Sequence, residues 1–303
     1  MTQHEPLVSV SVPTYNHEAF IAEAIESILS QNYENTEIII ADDCSEDGTQ
    51  AVILEYAERF PQKIKPILSE SRQGISKNAN KIWKACRGKY VSLMSGDDVM
   101  LPGKILRQVR CLEAQREAVI CYHNLDVFES SSDSTLYYWN AAEYNKPLEG
   151  GVQNIIENGS FIGACSIMVR REDAPSFGFD ERIPIASDWL FTIQTCAGGG
   201  AVVYLPEVLA RYRRHENNVT SSNMDNSELF RTLDIVESTY PQFDKYVRKG
   251  RGRLYYVEGV AAYTAGRFAD ARSNFLKAIV AGWRDWKSFV RLAQSCVQPI
   301  LKH

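Results

Sequence analysis

The stretch Thr36–Thr49 reads TEIIIADDCSEDGT and places a continuous β-branched run directly before an acidic loop. Such a run predicts a strand that is buried on both faces of a parallel sheet. Helix-like patterns lie on either side of it, at residues 20–29 and 50–60. Strands that alternate with helical segments of about ten to fifteen residues are typical of βαβ units. The N-terminal part of the chain is therefore predicted to form an α/β fold.

The same alternation continues along the chain. Further strands are predicted at Leu7–Val12, Ile64–Leu68, Lys89–Met94, Ala118–Tyr122, Cys165–Arg171 and Ala201–Leu205, and further helices at Ser76–Cys86, Pro102–Arg116 and Asp188–Ala197. From about residue 226 onward the patterns are only helical. There, Leu254–Ala265 and Phe268–Ala281 are separated by Gly266 and resemble one tetratricopeptide repeat.

Composition excludes several classes of protein. The 303 residues are 45% hydrophobic and 23% charged, as in an ordinary globular chain. The seven cysteines are scattered and form no C-x-x-C pair, which argues against a disulfide framework or a zinc site and for a reducing compartment. Met1–Pro6 is polar, so no signal peptide is predicted, and no apolar run reaches the length of a membrane span. We expect a cytoplasmic protein.

The sharpest chemical feature is Ser95-Gly96-Asp97-Asp98, which follows an apolar strand. Adjacent carboxylates repel each other unless a cation or a proton joins them. A hard divalent ion such as Mg²⁺ or Mn²⁺ would suit these oxygen ligands and would take others from phosphates and water. The alternative is a turn or a helix cap that leads to Pro102.

Two other polar segments also follow predicted strands. The acidic loop Asp42–Thr49 could accept hydrogen bonds from a nucleotide base or a ribose, and its alternative is an Asx-turn at Asp47-Gly48. Pro13–Asn16 offers a rigid turn and the aromatic ring of Tyr15, and Asn16 is also a candidate N-cap for the next helix. In open α/β sheets, ligands bind beyond the carboxyl ends of the strands. We therefore expect these segments to share one site.

The ordered motifs VSVPTYN, IIIADDCSEDGT, RQGISKNAN and GKYVSLMSGDD resemble glycosyltransferase family 2, a family of inverting enzymes with the GT-A fold. The resemblance covers Leu7 to about Arg214. It implies a mostly parallel central sheet flanked by helices, and the helical patterns beyond residue 226 predict a C-terminal all-helical appendage. Together they predict a catalytic domain over 1–225, comprising a nucleotide-binding half at 1–125 and an acceptor half at 126–225, followed by helical residues 226–303.

The resemblance also implies roles for single residues. The residues that it implies for the nucleotide sugar are Pro13, Tyr15, Asn16, Asp42, Asp43, Gly74, Lys77 and Asp97. Of these, Asp43 matches the carboxylate that binds the base, and Asp97 matches the residue near the donor ribose or sugar. Many relatives carry an arginine where this chain has Ala79, and Lys77 is the substitute that we expect.

The resemblance implies three further residues for metal binding and catalysis. The resemblance implies Asp98 as the ligand of Mn²⁺ or Mg²⁺, with His215 as a second metal or diphosphate contact. Asp188, in the segment IPIASDWL, matches the catalytic base, although relatives often have Glu where this chain has Ser187. The alternative for Asp188 is an acid in the first turn of a helix, where the helix dipole favours it.

The function implied by the resemblance is transfer of one sugar from a nucleotide diphosphate donor, preferably a UDP-sugar, to a hydroxyl of a glycan or lipid-linked acceptor in cell-surface polysaccharide synthesis. No nucleic acid partner is expected. The absence of a Q-x-x-R-W motif argues against processive synthesis. Two alternatives stay open: an inactive nucleotide-sugar-binding or scaffold protein, and a nucleotidyltransferase. A dehydrogenase is disfavoured because the turn after the first strand has no glycine.

Charge is distributed unevenly along the chain. Residues 245–303 contain twelve Lys or Arg against three Asp or Glu, a net charge of +9, whereas the whole chain carries −5. One helical stripe there holds Trp283, Trp286 and Phe289. Basic charge beside aromatic residues predicts peripheral contact with the inner face of a membrane or with a dimer partner. The alternative is that the stripe packs against the catalytic domain.

Overall fold

The computed structural model describes residues 5–141, 146–159, 162–216, 218, 226–283 and 286–301, with only the backbone described for 286–288 and 297–301. Contacts between Cα atoms divide the chain into two compact units. The first comprises Met1–Val152 and Ser160–Met224, and the second Gln153–Gly159 and Asp225–His303. The predicted division at residue 225 stays a prediction, since Gln153–Gly159 groups with the C-terminal helices.

The first unit is built on a nine-stranded mixed sheet. Its strands are β1 (Val8–Thr14), β2 (Thr36–Asp42), β3 (Ile64–Leu68), β4 (Tyr90–Leu93), β5 (Val99–Met100), β6 (Ala118–Glu129), β7 (Thr135–Tyr138), β8 (Met168–Arg170) and β9 (Ala201–Arg214). They lie in the order β3-β2-β1-β4-β8-β6-β9-β5, with β7 beside β6. The first four of these neighbours are parallel, as are β6 and β9, and β8 joins the two groups by antiparallel pairing.

Helices connect these strands and follow them. The helices of the chain are α1 (Ile21–Leu29), α2 (Thr49–Arg59), α3 (Ile75–Ala85), α4 (Lys104–Ala114), α5 (Val152–Asn158), α6 (Ser187–Cys196), α7 (Ser227–Thr239), α8 (Asp244–Thr264), α9 (Phe268–Val280) and α10 (Trp286–Leu301). None of the described helices combines the length and the apolarity that crossing a bilayer requires.

The sheet is held together by apolar residues at the expected periods. In β2 the run Ile38–Ala41 is fully buried, as a central parallel strand requires. Helix α1 covers the sheet with Ile21, Ala24, Ile25 and Ile28, which recur at helical spacing. These are the same kinds of residue that predicted the elements, so the α/β fold with flanking helices is confirmed. The sheet is mixed rather than mostly parallel: among the described strands, four pairings are parallel and four are antiparallel.

The second unit is helical over its described residues. Helices α8 and α9 form a hairpin that turns at Gly266, whose φ of 75° favours glycine. Its small core contains Ala262, Ala271 and Phe275. A Cβ on Gly259 would come within 2.6 Å of the Phe275 ring, so this glycine lets the two helices approach closely.

Candidate metal and nucleotide site

The acidic motif lies beyond the end of β4, against the end of β1. The N–H of Met94 donates to the carbonyl of Ser11 at 2.9 Å, and the N–H of Gly96 donates to the carbonyl of Pro13 at 3.1 Å. A Cβ on Gly96 would lie 2.6 Å from Thr14 Oγ1 and 2.9 Å from His17 Nδ1. Only glycine fits at position 96, and this close approach fixes the residues that follow it.

Asp97 is the centre of a cluster of side chains of the types that can ligate a metal ion. Its Oδ2 lies 3.1 Å from Nε2 of His215 and 3.8 Å from Nε2 of His17. The three ligand atoms all lie within 4.8 Å of one another, close enough for one cation to reach them together. Among the described residues, this is the one group of three or more His, Cys, Asp or Glu side chains with that spacing.

The electrostatics of the cluster favour a bound positive charge. Although burial raises the pKa of Asp97, the hydrogen bond with His215 and the nearby His17 hold it below its usual value. Burial lowers the pKa of His17, against the opposing pull of Asp97. A metal ion is ligated by an ionised carboxylate and a neutral imidazole, and the pKa shifts of Asp97 and His17 are in the direction of those forms.

Asp98 is separate from this cluster. Its Oδ1 accepts the backbone N–H of Arg213 at 3.0 Å, and its side chain is fully enclosed. Burial and the charge of Asp97 raise the pKa of Asp98 well above its usual value. Asp98 therefore contacts the backbone of β9, whereas Asp97 contacts His215, and the sequence-based assignment of the metal to Asp98 stays a prediction.

The end of β9 supports the acidic motif. The Arg213 guanidinium donates to the carbonyl of Asp97 at 2.8 Å, pairs with Glu23 and lies over the ring of Phe20. Asn218 donates to Asp97 Oδ2 at 3.3 Å. Both side chains are buried. They hold the cluster in place from a segment more than a hundred residues away in sequence.

The loop after β2 is fixed by its own carboxylates. Asp43 accepts two backbone hydrogen bonds at the start of α3, from Gln73 and Gly74, each at 2.8 Å. Asp42 accepts hydrogen bonds from Ser45 and Gln50. Both aspartates are buried. Each therefore has a structural task within the loop, and their predicted contacts with the nucleotide stay predictions.

The turn after β1 closes against the same loop. The N–H of Asn16 donates to Ser45 Oγ at 2.8 Å, and Asn16 Oδ1 accepts the N–H of Glu46 at 2.9 Å. Asn16 has a φ of 53° and lies outside α1, whose N-cap is Phe20, so the N-cap prediction was wrong. Asn16 instead bridges the two loops.

The remaining predicted donor residues lie near these loops. Pro13 is half-buried within β1, and the guanidinium of Arg72 lies 4.1 Å from the centre of the Tyr15 ring. Gly74, with a φ of 89°, precedes α3. Lys77 is exposed on the first turn of that helix. One face of the Tyr15 ring is thus covered by a cation in this structure.

Asp188 lies in the first turn of α6, which is joined to α3. Ser76 Oγ donates to the carbonyl of Ile183 at 2.6 Å and lies 2.8 Å from Ser187 Oγ. Asp188 Oδ1 accepts the N–H of Trp189 at 2.9 Å. Burial raises the pKa of Asp188, and these backbone hydrogen bonds oppose the rise. The starts of α3 and α6 therefore connect the Asp43 loop to the Asp188 turn.

Sequence reasoning missed His17 and Asn218. His17 directly follows the VSVPTYN motif, and its spacing from the end of β1 was an available signal. A single histidine or asparagine is ambiguous, however, because its partners come from distant segments. His17 and His215 meet only when the end of β9 reaches the end of β1, with ring centres 6.1 Å apart.

The residues present fit a divalent first-row cation. One carboxylate and two imidazoles form the donor set. Mg²⁺ prefers oxygen ligands, whereas imidazole suits first-row transition metals. The set leaves coordination positions for a substrate, and a donor diphosphate could supply oxygens there. The two imidazoles therefore suit a first-row transition metal better than Mg²⁺.

Comparison with known proteins shows which family this chain resembles. The sequence profile described as "Glycosyl transferase family 2" matches residues 9–176 and ends before Asp188 and His215. An uncharacterised protein of Mycobacterium tuberculosis is 34% identical over 220 residues, which are 71% of this chain and 60% of that protein. A Bacillus subtilis protein named as a teichuronic acid biosynthesis glycosyltransferase, TuaG, is 26% identical over 73% of this chain and 84% of its own length. The chain thus spans about 60% of the length of the mycobacterial relative.

Solved structures share the fold. Residues 1–349 of Staphylococcus aureus TarS, in complex with UDP-GlcNAc, align with 91% of this chain and 81% of that chain, with a TM-score of 0.63 and 16% identity. The mannosyltransferase PcManGT of Pyrobaculum calidifontis, in complex with GDP-Man and Mn²⁺, aligns with 98% of this chain and 81% of that chain, also with a TM-score of 0.63 and 16% identity. At such low identity the likeness shows the fold alone, which is GT-A.

Proposed function

Because this chain belongs to glycosyltransferase family 2, we propose that it transfers a single sugar from a nucleotide diphosphate sugar to a hydroxyl of a glycan or lipid-linked acceptor. The name of one similar protein supports a role in cell-surface polysaccharide synthesis: TuaG is named for teichuronic acid biosynthesis. We propose a UDP-sugar as donor, supported by the UDP-GlcNAc complex of TarS.

The metal belongs to the cluster around Asp97. We assign the cation to Asp97, His215 and His17, in place of the earlier assignment to Asp98. A bound Mn²⁺ would supply Lewis-acid neutralisation of the charge on the leaving diphosphate. The protein's own contribution is rigidity: Gly96 fits tightly against β1, and Arg213 and Asn218 hold Asp97 from the other side.

Donor binding is assigned to the loops around the cluster. Asp43 would accept a hydrogen bond from the base through the lone pairs that Gln73 and Gly74 leave free. Tyr15 would present its ring to the base, with Pro13 and Asn16 shaping the turn and Asp42 holding the loop. Lys77, exposed at the start of α3, would approach the phosphates.

Asp188 would act as the general base. It accepts the proton of the acceptor hydroxyl while that oxygen attacks the anomeric carbon and the diphosphate leaves from the opposite face. One direct displacement of this kind inverts the anomeric configuration. Positioned general bases typically contribute about 10²–10⁴-fold to a rate. The burial that raises the pKa of Asp188 also makes it a stronger proton acceptor when ionised.

The observation that carries the proposal is the meeting of Asp97, His215 and His17 at the end of β1 and β4. The test is a screen of nucleotide sugars with Mn²⁺, Mg²⁺ and EDTA, measuring release of nucleoside diphosphate. We expect release from one donor with Mn²⁺, little with Mg²⁺, and none with EDTA. Asp97→Asn should abolish release, whereas Glu172→Gln, an exposed acid in the same unit, should retain it.

Two other outcomes would overturn it. Tight binding of a nucleotide sugar without diphosphate release under any acceptor would indicate an inactive binding or scaffold protein. Release of pyrophosphate from a nucleoside triphosphate and a sugar phosphate would indicate a nucleotidyltransferase. We further propose that the protein works in the cytoplasm at the inner face of the membrane, where a lipid-linked acceptor would be presented.

A further inference from the structure

The helical hairpin of the second unit carries an open groove outside the catalytic unit. The groove lies between α8 and α9 and has a volume of about 640 Å³, which is within the size range of ligand clefts. Arg248 and Tyr255 of α8 line one side, and Leu276, Lys277 and Val280 of α9 line the other. None of these side chains belongs to the proposed transferase site.

Helix α9 has two different faces. Ala271, Phe275 and Ala278 are fully buried and form the inner face. Leu276 and Val280 lie one turn apart on the outer face, and their side chains are 52% and 84% exposed. A leucine and a valine at such exposure form an apolar patch that the hairpin itself does not cover.

The polar residues around this patch are cationic. Several acids of the second unit form ion pairs with cations outside the groove. Lys249 pairs with Glu157, and Arg251 pairs with Asp234 and Glu237. Within the part of the chain that the structure describes, Arg248 and Lys277 form no ion pair with a carboxylate. Lys277 Nζ lies 5.5 Å from the centre of the Tyr255 ring. The apolar patch is thus flanked by two uncompensated positive charges and a tyrosine.

We propose that this groove and the outer face of α9 are a docking surface for an anionic lipid bilayer. Exposed aliphatic side chains enter the interfacial region of a membrane, and tyrosine favours that region. The net charge of +9 over residues 245–303 complements anionic headgroups. A protein partner would also have to neutralise these cations, whereas a second copy would bring the same positive charge to the contact.

This surface differs from the stripe predicted from sequence. Trp283 is half-buried: its Cβ lies 2.9 Å from where a Cβ on Gly252 would be, and its ring nitrogen Nε1 is buried. Phe289 is 49% exposed, but the side chain of Trp286 lies outside the described residues. Among the described side chains of the second unit, Val280 and Leu276 on the outer face of α9 are the most exposed of the large apolar residues.

The test is flotation of the full-length protein with vesicles. Vesicles of phosphatidylethanolamine with phosphatidylglycerol should bind the protein, and pure phosphatidylcholine vesicles should bind it weakly. The double variant Leu276→Glu/Val280→Glu should reduce binding at least tenfold. Arg248→Gln/Lys277→Gln removes two positive charges and should reduce binding by about 25-fold, at roughly fivefold per charge. Added salt should also weaken binding.

The matched control is Leu54→Glu, a single leucine-to-glutamate change at an exposed position of α2 in the first unit. It should bind vesicles as the unmodified protein does. Circular dichroism melting would verify that each variant is folded. Equal binding by Leu54→Glu and the α9 variant, or no binding by the unmodified protein, would overturn the inference. A dimer that the α9 variant abolishes, without vesicle binding, would identify a second copy as the occupant instead.

The inference rests on the proposed location at a membrane and is independent of the proposed chemistry. Diphosphate release with a soluble acceptor is the readout that separates them. If the protein binds vesicles but transfers no sugar, only the proposed function fails. If it transfers sugar and no vesicle binds, only this surface fails.

Discussion

The adjacent residues Asp97 and Asp98 have different environments, and this difference leads to a prediction about Mn²⁺ affinity. Asp97 faces two imidazoles, whereas Asp98 is enclosed and accepts the N–H of Arg213. Asp97→Asn should weaken Mn²⁺ binding by about 100-fold or more, because a charged ligand is lost. Asp98→Asn keeps an oxygen acceptor for Arg213 and should change Mn²⁺ affinity by less than about tenfold.

Titration of free Mn²⁺ by electron paramagnetic resonance measures both affinities without any turnover. His17→Ala should also weaken Mn²⁺ binding, but by less than Asp97→Asn, because it removes one of three ligands without removing a negative charge. Equal Mn²⁺ affinity in Asp97→Asn and the unmodified protein would contradict the assignment. So would a larger loss in Asp98→Asn than in Asp97→Asn, if both variants melt at the same temperature.

Asp188 gives a prediction on pH. Asp188→Asn should lower the transfer rate by about 10²–10⁴-fold and leave donor affinity unchanged. Because burial raises the pKa of Asp188, the base becomes protonated at a higher pH than an exposed aspartate does. The rate should therefore fall as the pH is lowered through that raised pKa. A pH profile of transfer at saturating donor measures this, with Glu172→Gln as the control whose profile should not move.

The residue scale also shows where sequence reasoning reaches its limit. The sequence identified the SGDD motif and His215 as parts of one site, and the structure brings them together. It assigned the metal to Asp98, and it could not show that Asp98 accepts the N–H of Arg213, 115 residues further along the chain, whereas Asp97 lies beside His215. His17 was missed for the same reason: its neighbour in space is distant in sequence.

Among the structural elements, the contact between the SGDD loop and β1 yields a prediction about Gly96. A Cβ there would lie 2.6 Å from Thr14 Oγ1, so Gly96→Ala must displace the loop or the strand end. We expect a loss of about 1–3 kcal/mol in the free energy of unfolding and weaker Mn²⁺ binding. Urea denaturation and Mn²⁺ titration measure the two effects.

Gly198→Ala is the matched control for this change. A Cβ on Gly198 would meet nothing within 4 Å, so the same substitution should be nearly neutral. If Gly96→Ala were as stable as Gly198→Ala and bound Mn²⁺ equally well, the tight contact with β1 would not be what positions Asp97.

At the opposite end of the parallel strands, the buried carboxylate of Glu37 leads to a prediction about stability and pH. Glu37, buried in β2, accepts hydrogen bonds from Ser9 at 2.7 Å, Lys65 at 2.6 Å and the Arg87 side chain at 2.9 Å. Burial raises its pKa, but these hydrogen bonds dominate and lower it to about 2. Because the folded pKa is depressed, the stabilisation is complete above the usual glutamate pKa. It is lost as the pH falls from there toward about 2.

Glu37→Gln should therefore reduce stability by about 1–3 kcal/mol at neutral pH, and by much less near pH 2. Arg87 and Lys65 are partly exposed, which limits the effect through solvent screening. Chemical denaturation at several pH values measures the difference. Glu55→Gln, which breaks an exposed ion pair with Arg59, is the control and should change little at any pH.

The elements themselves were predictable to different degrees. The N-terminal strands and α1 to α4 were recognisable from local periodicity, with ends within a few residues. β6 and β9 extend to Glu129 and Arg214, far beyond the short strands predicted there. Their second halves contain polar residues such as Asp126 and Arg211, which pair with each other across the two strands. Local patterns cannot predict such strands, because the partner that neutralises each charge lies on the other strand.

At the scale of the whole molecule, the two units lead to a prediction about ligand protection. A ligand that binds only the folded state stabilises it by about 2.7 kcal/mol at 100 times its Kd. UDP with Mn²⁺ should slow amide exchange around residues 94–98 and 73–76 in the first unit. It should leave α8 and α9 unchanged, since no proposed donor contact lies there.

Hydrogen exchange with mass spectrometry measures this distribution peptide by peptide. Asp97→Asn with the same concentrations of UDP and Mn²⁺ should show little protection anywhere. Protection that appeared first in α8 and α9 would contradict the assignment of the donor to the first unit. The sequence predicted the all-helical character of that second unit, but could not predict that Gln153–Gly159 would group with it, since this needs contacts between distant segments.

The two backbone hydrogen bonds to Asp43 have a consequence for how a donor arrives. Both carboxylate oxygens are aimed before any substrate is present, because Gln73 and Gly74 restrain them from the folded chain. If Asp43 binds the base as proposed, an incoming base would meet an acceptor that need not rotate into position, and little conformational freedom would be lost at that contact. Selection among bases would then follow from fit to a rigid template, so a nucleotide with a mismatched edge would be rejected at the first encounter.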